Sequence, residues 1–272
     1  MATLEATGEL CSLAVSKNGR WIAAGSDGGD VLVWDATTYE RVITHEVDPS
    51  NLILAVDFSP DSTRLVSGST TAIVWDVAHR KEVQKLSHCL PAVSGLLAVK
   101  YSPQGDRIAT ASEHSIKVWD SIDGDLLVDI PVTVTPWHNG GLRWFNNFLY
   151  VISDSAIKRF EASRARSSLI WEWPVPDSNS DSCIAIPQNG EFIAYSTKRT
   201  LTFWDTSTRT QLGTIQFSQD IRSIALSPGD QFLAIGGDNK ITIQSLSFIP
   251  VSIVVGITAY LNKQLHTLIT FW

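Results

Sequence analysis

An all-β fold, a β-propeller of repeated four-stranded blades, follows from three observations on this chain. An apolar strand pattern ends on Trp-Asp four times, at Trp34-Asp35, Trp75-Asp76, Trp119-Asp120 and Trp204-Asp205. The spacings are 41, 44 and 85 residues, the last about twice the others, so a degenerate copy is expected at Arg159-Phe160-Glu161 and a sixth at Gln244-Ser245. A polar turn also recurs at a fixed place in each unit: Ser16-Lys-Asn-Gly19, Ser59-Pro-Asp-Ser62, Ser102-Pro-Gln-Gly105, Pro187-Gln-Asn-Gly190 and Ser227-Pro-Gly-Asp230. A repeat of about 40–45 residues closing on Trp-Asp is the signature of a propeller blade.

Within each unit the order is strand, polar turn, strand, tight turn, closing strand. Unit one places its strands at 10–15, 21–24 and 31–35, unit two at 54–58, 64–67 and 72–76, and unit three at 97–101, 107–110 and 116–120. Units five and six repeat this at 183–186, 192–195 and 201–205, and at 221–226, 232–235 and 241–244. Ser or Asp side chains bond the turn backbone and Pro presets φ at the second turn position, which is type I chemistry. Runs such as Ile73-Val-Trp75 are β-branched and aromatic, and nearly continuous apolar strands fit sheets packed on both faces. A fourth, outer strand is expected after each closing pair, at 40–44, 82–86, 126–130, 169–173, 211–216 and 250–255. Each closing Trp is expected to pack between blades and each following Asp to start the turn to the outer strand. Unit four departs from the pattern: 141–145, a tight Asn146-Asn147 turn, 148–152 and 157–161, with a concentration of tryptophans at 137, 144, 171 and 173.

On these motifs the chain resembles the WD-repeat β-propeller family over residues 1–256, with 257–272 an atypical tail. Its degenerate, acidic style is similar to the WD-repeat portions of fungal NACHT-type signalling proteins. The family's usual Gly-His pair before the inner strand is absent, and the position six before the closing Trp holds Gly28, Ser69, Glu113 or Lys198 instead of Asp. The His, Ser/Thr, Asp and Trp hydrogen-bond network that the resemblance implies is therefore expected to be largely missing, with apolar packing carrying the blades. Two closures stay open: six blades with a redundant N-terminal strand, or an incomplete seventh blade assembled from residues 1–6 and 257–272.

Net charge is −7 with a sequence pI near 5.3, which argues against nucleic acid as a partner because phosphate binding needs a concentrated positive field. Lys158, Arg159, Arg164 and Arg166 read as a solvated blade edge. Cys11, Cys89 and Cys183 are far apart and odd in number, so no zinc site or disulfide framework is indicated, and buried thiols in a reducing compartment are expected. There is no basic, apolar leader pattern at the N-terminus, and the apolar run 248–260 contains Pro250 and Gly256 and is too short to span a bilayer. A soluble protein, cytoplasmic or nuclear, is the expectation.

Chemistry is sparse. His45, His79, His88, His114, His138 and His266 are scattered, and no metal-ligand spacing, nucleophile elbow or phosphate loop is present. Asp27-Gly-Gly-Asp30 and Asp123-Gly-Asp125 read as hairpin turns, since the alternating ligands of a calcium loop are missing. Equivalent inner-strand positions are mostly apolar: Leu10, Ile53, Leu96, Asn139, Asp181 and Ile221 at one level, and Ser12, Ala55, Ala98, Gly141, Cys183 and Ser223 at another. The expected function is a non-catalytic protein-protein interaction scaffold or sensor module, with other proteins as partners and no cofactor, metal, nucleic acid or membrane. The alternatives are a propeller hydrolase or isomerase with a central-channel site, and a fragment of a larger WD-repeat protein. The expected contact face carries the loops 45–51, 87–95, 135–140, 174–181 and 218–220, with Trp137, His138 and Trp173 as binding residues.

Overall fold

In the computed structural model, the described residues are 4, 6, 8–46, 51–86, 95–134, 141–153, 156–163, 166–175, 182–227, 229–237 and 240–246. They form antiparallel sheets and no α-helix. Blade one is β1 (Leu10–Val15), β2 (Trp21–Ser26), β3 (Asp30–Asp35) and β4 (Arg41–Glu46). Blade two is β5 (Ala55–Phe58), β6 (Arg64–Gly68), β7 (Ala72–Asp76) and β8 (Lys81–Leu86). Blade three is β9 (Ala98–Tyr101), β10 (Arg107–Ala111), β11 (Ser115–Asp120) and β12 (Leu126–Pro131). Blade four is β13 (Leu142–Phe145), β14 (Phe148–Ser153), β15 (Ala156–Ser163) and β16 (Arg166–Pro174). Blade five is β17 (Cys183–Ala185), β18 (Phe192–Thr197), β19 (Thr200–Asp205) and β20 (Gln211–Gln216). Blade six is β21 (Ile221–Leu226), β22 (Phe232–Gly237) and β23 (Lys240–Ser245). Each blade is an up-and-down meander, and the six make a six-bladed β-propeller in which blade six shows three strands among the described residues. The outer strand expected at 250–255 lies outside them.

The polar turns fold as their chemistry dictates. In four units one Ser hydroxyl accepts the N–H five residues on: Ser16 from Trp21 (2.9 Å), Ser59 from Arg64 (2.9 Å), Ser102 from Arg107 (3.1 Å) and Ser227 from Phe232 (3.0 Å). The fourth turn residue, Gly19, Ser62, Gly105, Gly190 or Asp230, is left-handed at φ 56 to 78° and donates its N–H back to the first. Gly suits that conformation, while Ser62 and Asp230 adopt it at a cost. The closing Asp starts the next turn: Asp35 accepts the N–H groups of Thr37 (2.8 Å) and Thr38 (3.1 Å), Asp76 that of His79 (2.8 Å), Asp120 that of Ile122 (2.9 Å), and Asp205 those of Ser207 (2.8 Å) and Thr208 (2.7 Å).

Successive blades stack face to face. Val31 and Val33 of blade one pack on Val56, Phe58 and Trp75 of blade two. Val66, Ala72 and Val74 of blade two meet Val99, Tyr101 and Trp119 of blade three in the same way. The closing Trp34, Trp75 and Trp119 are buried, and Trp204 is half-buried. Part of the polar network expected to be missing is nevertheless present. Trp75 Nε1 donates to Ser67 Oγ (2.9 Å) and Trp119 Nε1 to Thr110 Oγ1 (2.9 Å). His45, at the end of blade one, stacks on Trp75 of blade two with ring centres 4.3 Å apart and planes 17° from parallel. In blade five the matching position is Tyr195, and Trp204 Nε1 is buried without a partner.

Inner strands touch in order from β1 through β5, β9, β13 and β17 to β21, but no comparable contact joins β21 to β1. The N-terminal segment enters here. Leu4 and Ala6 lie against Ala24, Leu32 and Trp34, on the face of blade one turned away from blade two. Cys183 is buried as expected, whereas Cys11 is exposed, because β1 has no neighbouring blade on its outer side among the described residues.

Replacing Trp75 with Ala removes a buried ring from the blade one–two junction, and urea denaturation is expected to show a loss of about 3–5 kcal/mol. Ser67→Ala strips the Trp75 Nε1–H of its acceptor and is expected to cost about 1–3 kcal/mol. The turn aspartates supply a pH test. The Thr208 N–H and the Ser207 hydroxyl hold Asp205 at about 2, below the ordinary 3.8. Asp35 and Asp76 are lowered chiefly by the N–H groups of Thr37 and His79. A depressed carboxyl stabilises the fold fully above its unfolded value and loses that contribution as pH falls through the folded one. Thermal melts between roughly pH 5 and pH 2 are therefore expected to fall more steeply for the wild type than for Asp205→Asn.

Candidate interaction face and central channel

The loops that lead into the inner strands share one face of the propeller with the turns between second and third strands. Backbone bonds between adjacent blades fix their roots. Ile53 N–H donates to Ser26 O (2.9 Å), Leu96 N–H to Ser69 O (2.5 Å), and Ile221 N–H to Lys198 O. In each case the start of an inner strand is clipped to the hairpin turn of the blade before it. Within blade three, Val132 and Val134 N–H groups donate to His114 O (3.2 Å) and Glu113 O (2.9 Å), and Val134 bridges Ser153 of blade four. Loop roots on this face are thus part of the sheet framework.

Trp137 and His138, the first two residues expected to bind a partner, lie outside the described residues, between Val134 and Gly141. Loops 87–94 and 176–181, with Asn139 and Asp181, lie outside them as well. Trp173 is described, and its side chain offers no exposed surface. It is 4% exposed on β16, edge-on to Trp171, and packs among Val175, Ile184, Ile193 and Tyr195 at the blade four–five junction. Unit four has Phe160 in place of the closing Trp, packed at the blade three–four junction, while Trp171 and Trp173 on the outer strand pack at the opposite, blade four–five junction. Trp144 is half-buried with Nε1 donating to Lys100 O of blade three (3.2 Å). Arg159 lies over the Phe148 ring at 3.6 Å, so this member of the basic group is spent on an aromatic face and not on open solvent.

The described part of the contact face around blade six is a shallow depression lined by Phe217, Asp220, Ile221, Lys240 and Thr242. Its rim carries an Arg199 Nε–Asp220 Oδ1 ion pair at 2.7 Å, which holds the Asp220 carboxyl below the usual carboxylate range. The Asp27 turn is a hairpin, as expected: Gly29 N–H donates to Ser26 O (3.4 Å) and Asp30 N–H to Ser26 Oγ (3.0 Å), while Asp27 Oδ1 accepts the Glu9 N–H (3.0 Å) just ahead of β1. Among the described residues no group of three or more His, Cys, Asp or Glu side chains is arranged to hold a metal ion.

Toward the channel, side chains of one blade cap the inner edge of the next. Ser12 Oγ accepts the Val56 N–H (3.1 Å), and Asp57 Oδ2 accepts the Tyr101 N–H (2.8 Å) while Oδ1 pairs with Lys100 Nζ at 2.8 Å. Cys183 Sγ contacts Arg222 O at 3.4 Å. Asp57, Lys100 and Arg143 occupy equivalent positions on β5, β9 and β13, one residue before Phe58, Tyr101 and Trp144. Sequence inspection passed over this row because it compared other levels of the strands; aligning residues from the turn backward would have shown it. Chemically the row is a cross-blade clasp: its carboxylate is committed to a backbone donor and an ammonium. Ile53, Leu96 and Ile221 at the upper level are buried and apolar, and Leu10 is exposed.

A ring of antiparallel blades closed by buried Trp and Asp-initiated turns defines a WD-repeat propeller, and the comparisons agree. The chain belongs to the WD40 family: the model of the WD domain, G-beta repeat, matches residues 1–35, 39–76, 80–120 and 209–243, more than half of the sequence. It is 34% identical to the small ribosomal subunit protein RACK1z of Arabidopsis thaliana over 95 residues, 33% of this chain and 28% of that protein. It is 29% identical to the meiotic recombination protein rec14 of Schizosaccharomyces pombe over 120 residues, 43% of this chain and 38% of that one. A WD repeat-containing protein of the same yeast is 26% identical over 119 residues, 42% of this chain and 19% of its own length. The matches thus span well under two thirds of each relative. Among solved structures, the Cps50 (Swd1) β-propeller domain of Myceliophteria thermophila has a TM-score of 0.73 at 17% identity, over 90% of this chain and 86% of that one. Hydrazine synthase of Kuenenia stuttgartiensis has a TM-score of 0.72 at 14% identity, over 88% and 84%. These two likenesses speak to the fold alone.

Asp57 acts in two contacts and Lys100 in one, so Asp57→Ala is expected to destabilise more than Lys100→Ala. The expected loss is about 1–3 kcal/mol for the uncapped Tyr101 N–H, against a smaller one for Lys100→Ala, which leaves Asp57 bonded to that N–H. A double-mutant cycle in urea measures the coupling directly.

Proposed function

We propose that this chain is a non-catalytic interaction scaffold or sensor module that binds another protein through the loops leading into its inner strands. The observation that carries the reading is the set of interblade backbone clips at Ile53, Leu96 and Ile221. They give a rigid frame beneath loops of differing sequence, the arrangement in which loops serve recognition. WD-repeat propellers are typically used for protein-protein interaction, and membership of the WD40 family supports the same use here. Fold by itself does not assign a partner. A protein is the expected partner, not nucleic acid or a membrane surface, in keeping with the net charge of −7. A cytoplasmic location belongs to the same proposal.

The enzyme alternative draws on the likeness to hydrazine synthase, but at 14% identity that likeness carries no chemistry. The channel residues favour the scaffold: Asp57 is bound to Lys100 and to the Tyr101 N–H, and buried apolar side chains hold the neighbouring level. Trp137→Ala and His138→Ala test the scaffold reading. Immobilised full-length chain is expected to lose specific partners, identified by quantitative mass spectrometry, while its melting temperature holds. A large drop in melting temperature with partner capture unchanged would assign Trp137 to packing and remove loop 135–140 from the contact face.

A further inference from the structure

The chain carries 28 Asp and Glu against 21 Lys and Arg, yet one rim of its contact face reverses that balance. At the junction of blades five and six, Lys198 and Arg199 form the hairpin turn between β18 and β19, Arg222 lies near the start of β21, and Lys240 opens β23. All four are exposed. Among the described residues, half-buried Asp220 is the carboxylate set in their midst. The Arg199 hydrogen bond chiefly holds its carboxyl low, and the charges of Arg199, Lys198 and Arg222 add to the effect. Lys240 lines the same depression as Asp220. At blade one the same face is acidic: burial, then the charges of Asp27 and Glu9, push the Cys11 thiol up. The positive rim is therefore a local feature.

The rim is held from both blades. Phe217 N–H donates to Arg199 O (2.7 Å) and Ile221 N–H to Lys198 O, so loop 217–221 is tied at both ends to the turn that carries two of the cations. On the blade-six side, a Cβ at Gly237 would stand 2.7 Å from the Asp220 carbonyl oxygen, so the close approach needs glycine. Asp220 Oδ1 takes Arg199 through Nε at 2.7 Å, while the Arg199 side chain stays 62% exposed. A guanidinium fixed in one orientation and open to solvent suits a carboxylate, which it can bind with two parallel N–H bonds. Half-buried Phe217 gives the depression an apolar wall beside the cations.

Nucleic acid matches this rim poorly. Four cations make a short footprint, and the net charge of −7 opposes a long phosphate run. A short acidic stretch of a protein meets the local charge without that penalty, and complementary potentials speed encounter and fix orientation.

We infer that the blade five–six rim receives an acidic segment of a partner protein, whose Asp or Glu carboxylates pair with Arg199, Lys198, Arg222 and Lys240 while an apolar neighbour lies against Phe217. Asp220 is a positioning residue for Arg199. The inference rests on the reading of this face as the contact face and adds the chemistry of what it takes.

Fluorescence anisotropy on the full-length chain tests this, with fluorescein-labelled octaglutamate, a neutral Gly-Ser octamer and an eight-nucleotide thymidine oligomer as probes. Octaglutamate is expected to bind and the neutral octamer not. Its affinity is expected to fall as salt rises from roughly 50 to 300 mM, because screening shortens the reach of exposed charges. Arg199→Gln and Lys240→Glu are each expected to weaken octaglutamate at least about fivefold, and the pair at least about tenfold, with far-ultraviolet dichroism and melting temperature unchanged. Lys240→Ala serves as the gentler variant. Lys85→Glu, a charge reversal of equal size on β8 of blade two, is expected to leave binding unaltered. Octaglutamate that does not bind the wild type would overturn the inference. So would equal binding by the folded rim variants, or thymidine oligomer binding as tight as octaglutamate, which would assign the rim to polyanions in general. A partner captured by immobilised chain, lost on Trp137→Ala but retained by Lys240→Glu with octaglutamate unbound, would overturn this inference and leave the scaffold reading standing.

Discussion

The fold depends on one kind of contact, the pressing of an apolar sheet face against the face of the next blade. No blade carries a core of its own: its third strand looks forward and its first strand looks back. Val31 and Val33 are buried only because Val56, Phe58 and Trp75 lie across from them. Burial of such side chains is worth about 1.5–3 kcal/mol each relative to exposure, far more than the exposed ion pairs at Lys85–Glu82 or Arg20–Asp35 contribute. Polar bonds set the register within this arrangement. Ser hydroxyls and closing aspartates fix the two turns on one face, and backbone clips fix the loop roots on the other.

Specialisation then follows from how each unit meets that requirement. Blades two and three keep the closing Trp and supply a hydroxyl for its Nε1. Blade five keeps the Trp but offers Tyr195 where the hydroxyl would be. Blade four has Phe160 at the closing position, against blade three, and sets Trp171 and Trp173 of its outer strand against blade five. The ring is therefore tolerant of composition at the closing position.

Much of the architecture was legible before any coordinates. The period, the Ser-Pro turns and the closing Trp-Asp located the described strands within a few residues, because each rests on local chemistry: a hydroxyl reaching an N–H five residues on, or a β-branched run between two turn signals. Contacts across blades were harder to read. The clasp of Asp57 with Lys100 and Tyr101 N–H joins residues more than forty positions apart, and the stacking of His45 on Trp75 depends on the path of an outer strand. Trp173 was read as a contact residue from its place beside a loop, and its burial depends on Ile184, Ile193 and Tyr195 of the next blade, which nothing local signals. Trp137 and His138, read as contact residues from their place in a loop, lie outside the described residues.

The central claim is that blades are stable only through their neighbours, so that the chain behaves as one cooperative body. Equilibrium urea unfolding of the full-length protein, followed in parallel by far-ultraviolet circular dichroism and tryptophan fluorescence, tests it most directly. Tryptophans in blades one to five report tertiary packing, and the dichroism reports the sheets. The account predicts one coincident transition by both probes. A fluorescence change well before the loss of strand signal would contradict it, since blades would then keep their sheets after their faces had separated.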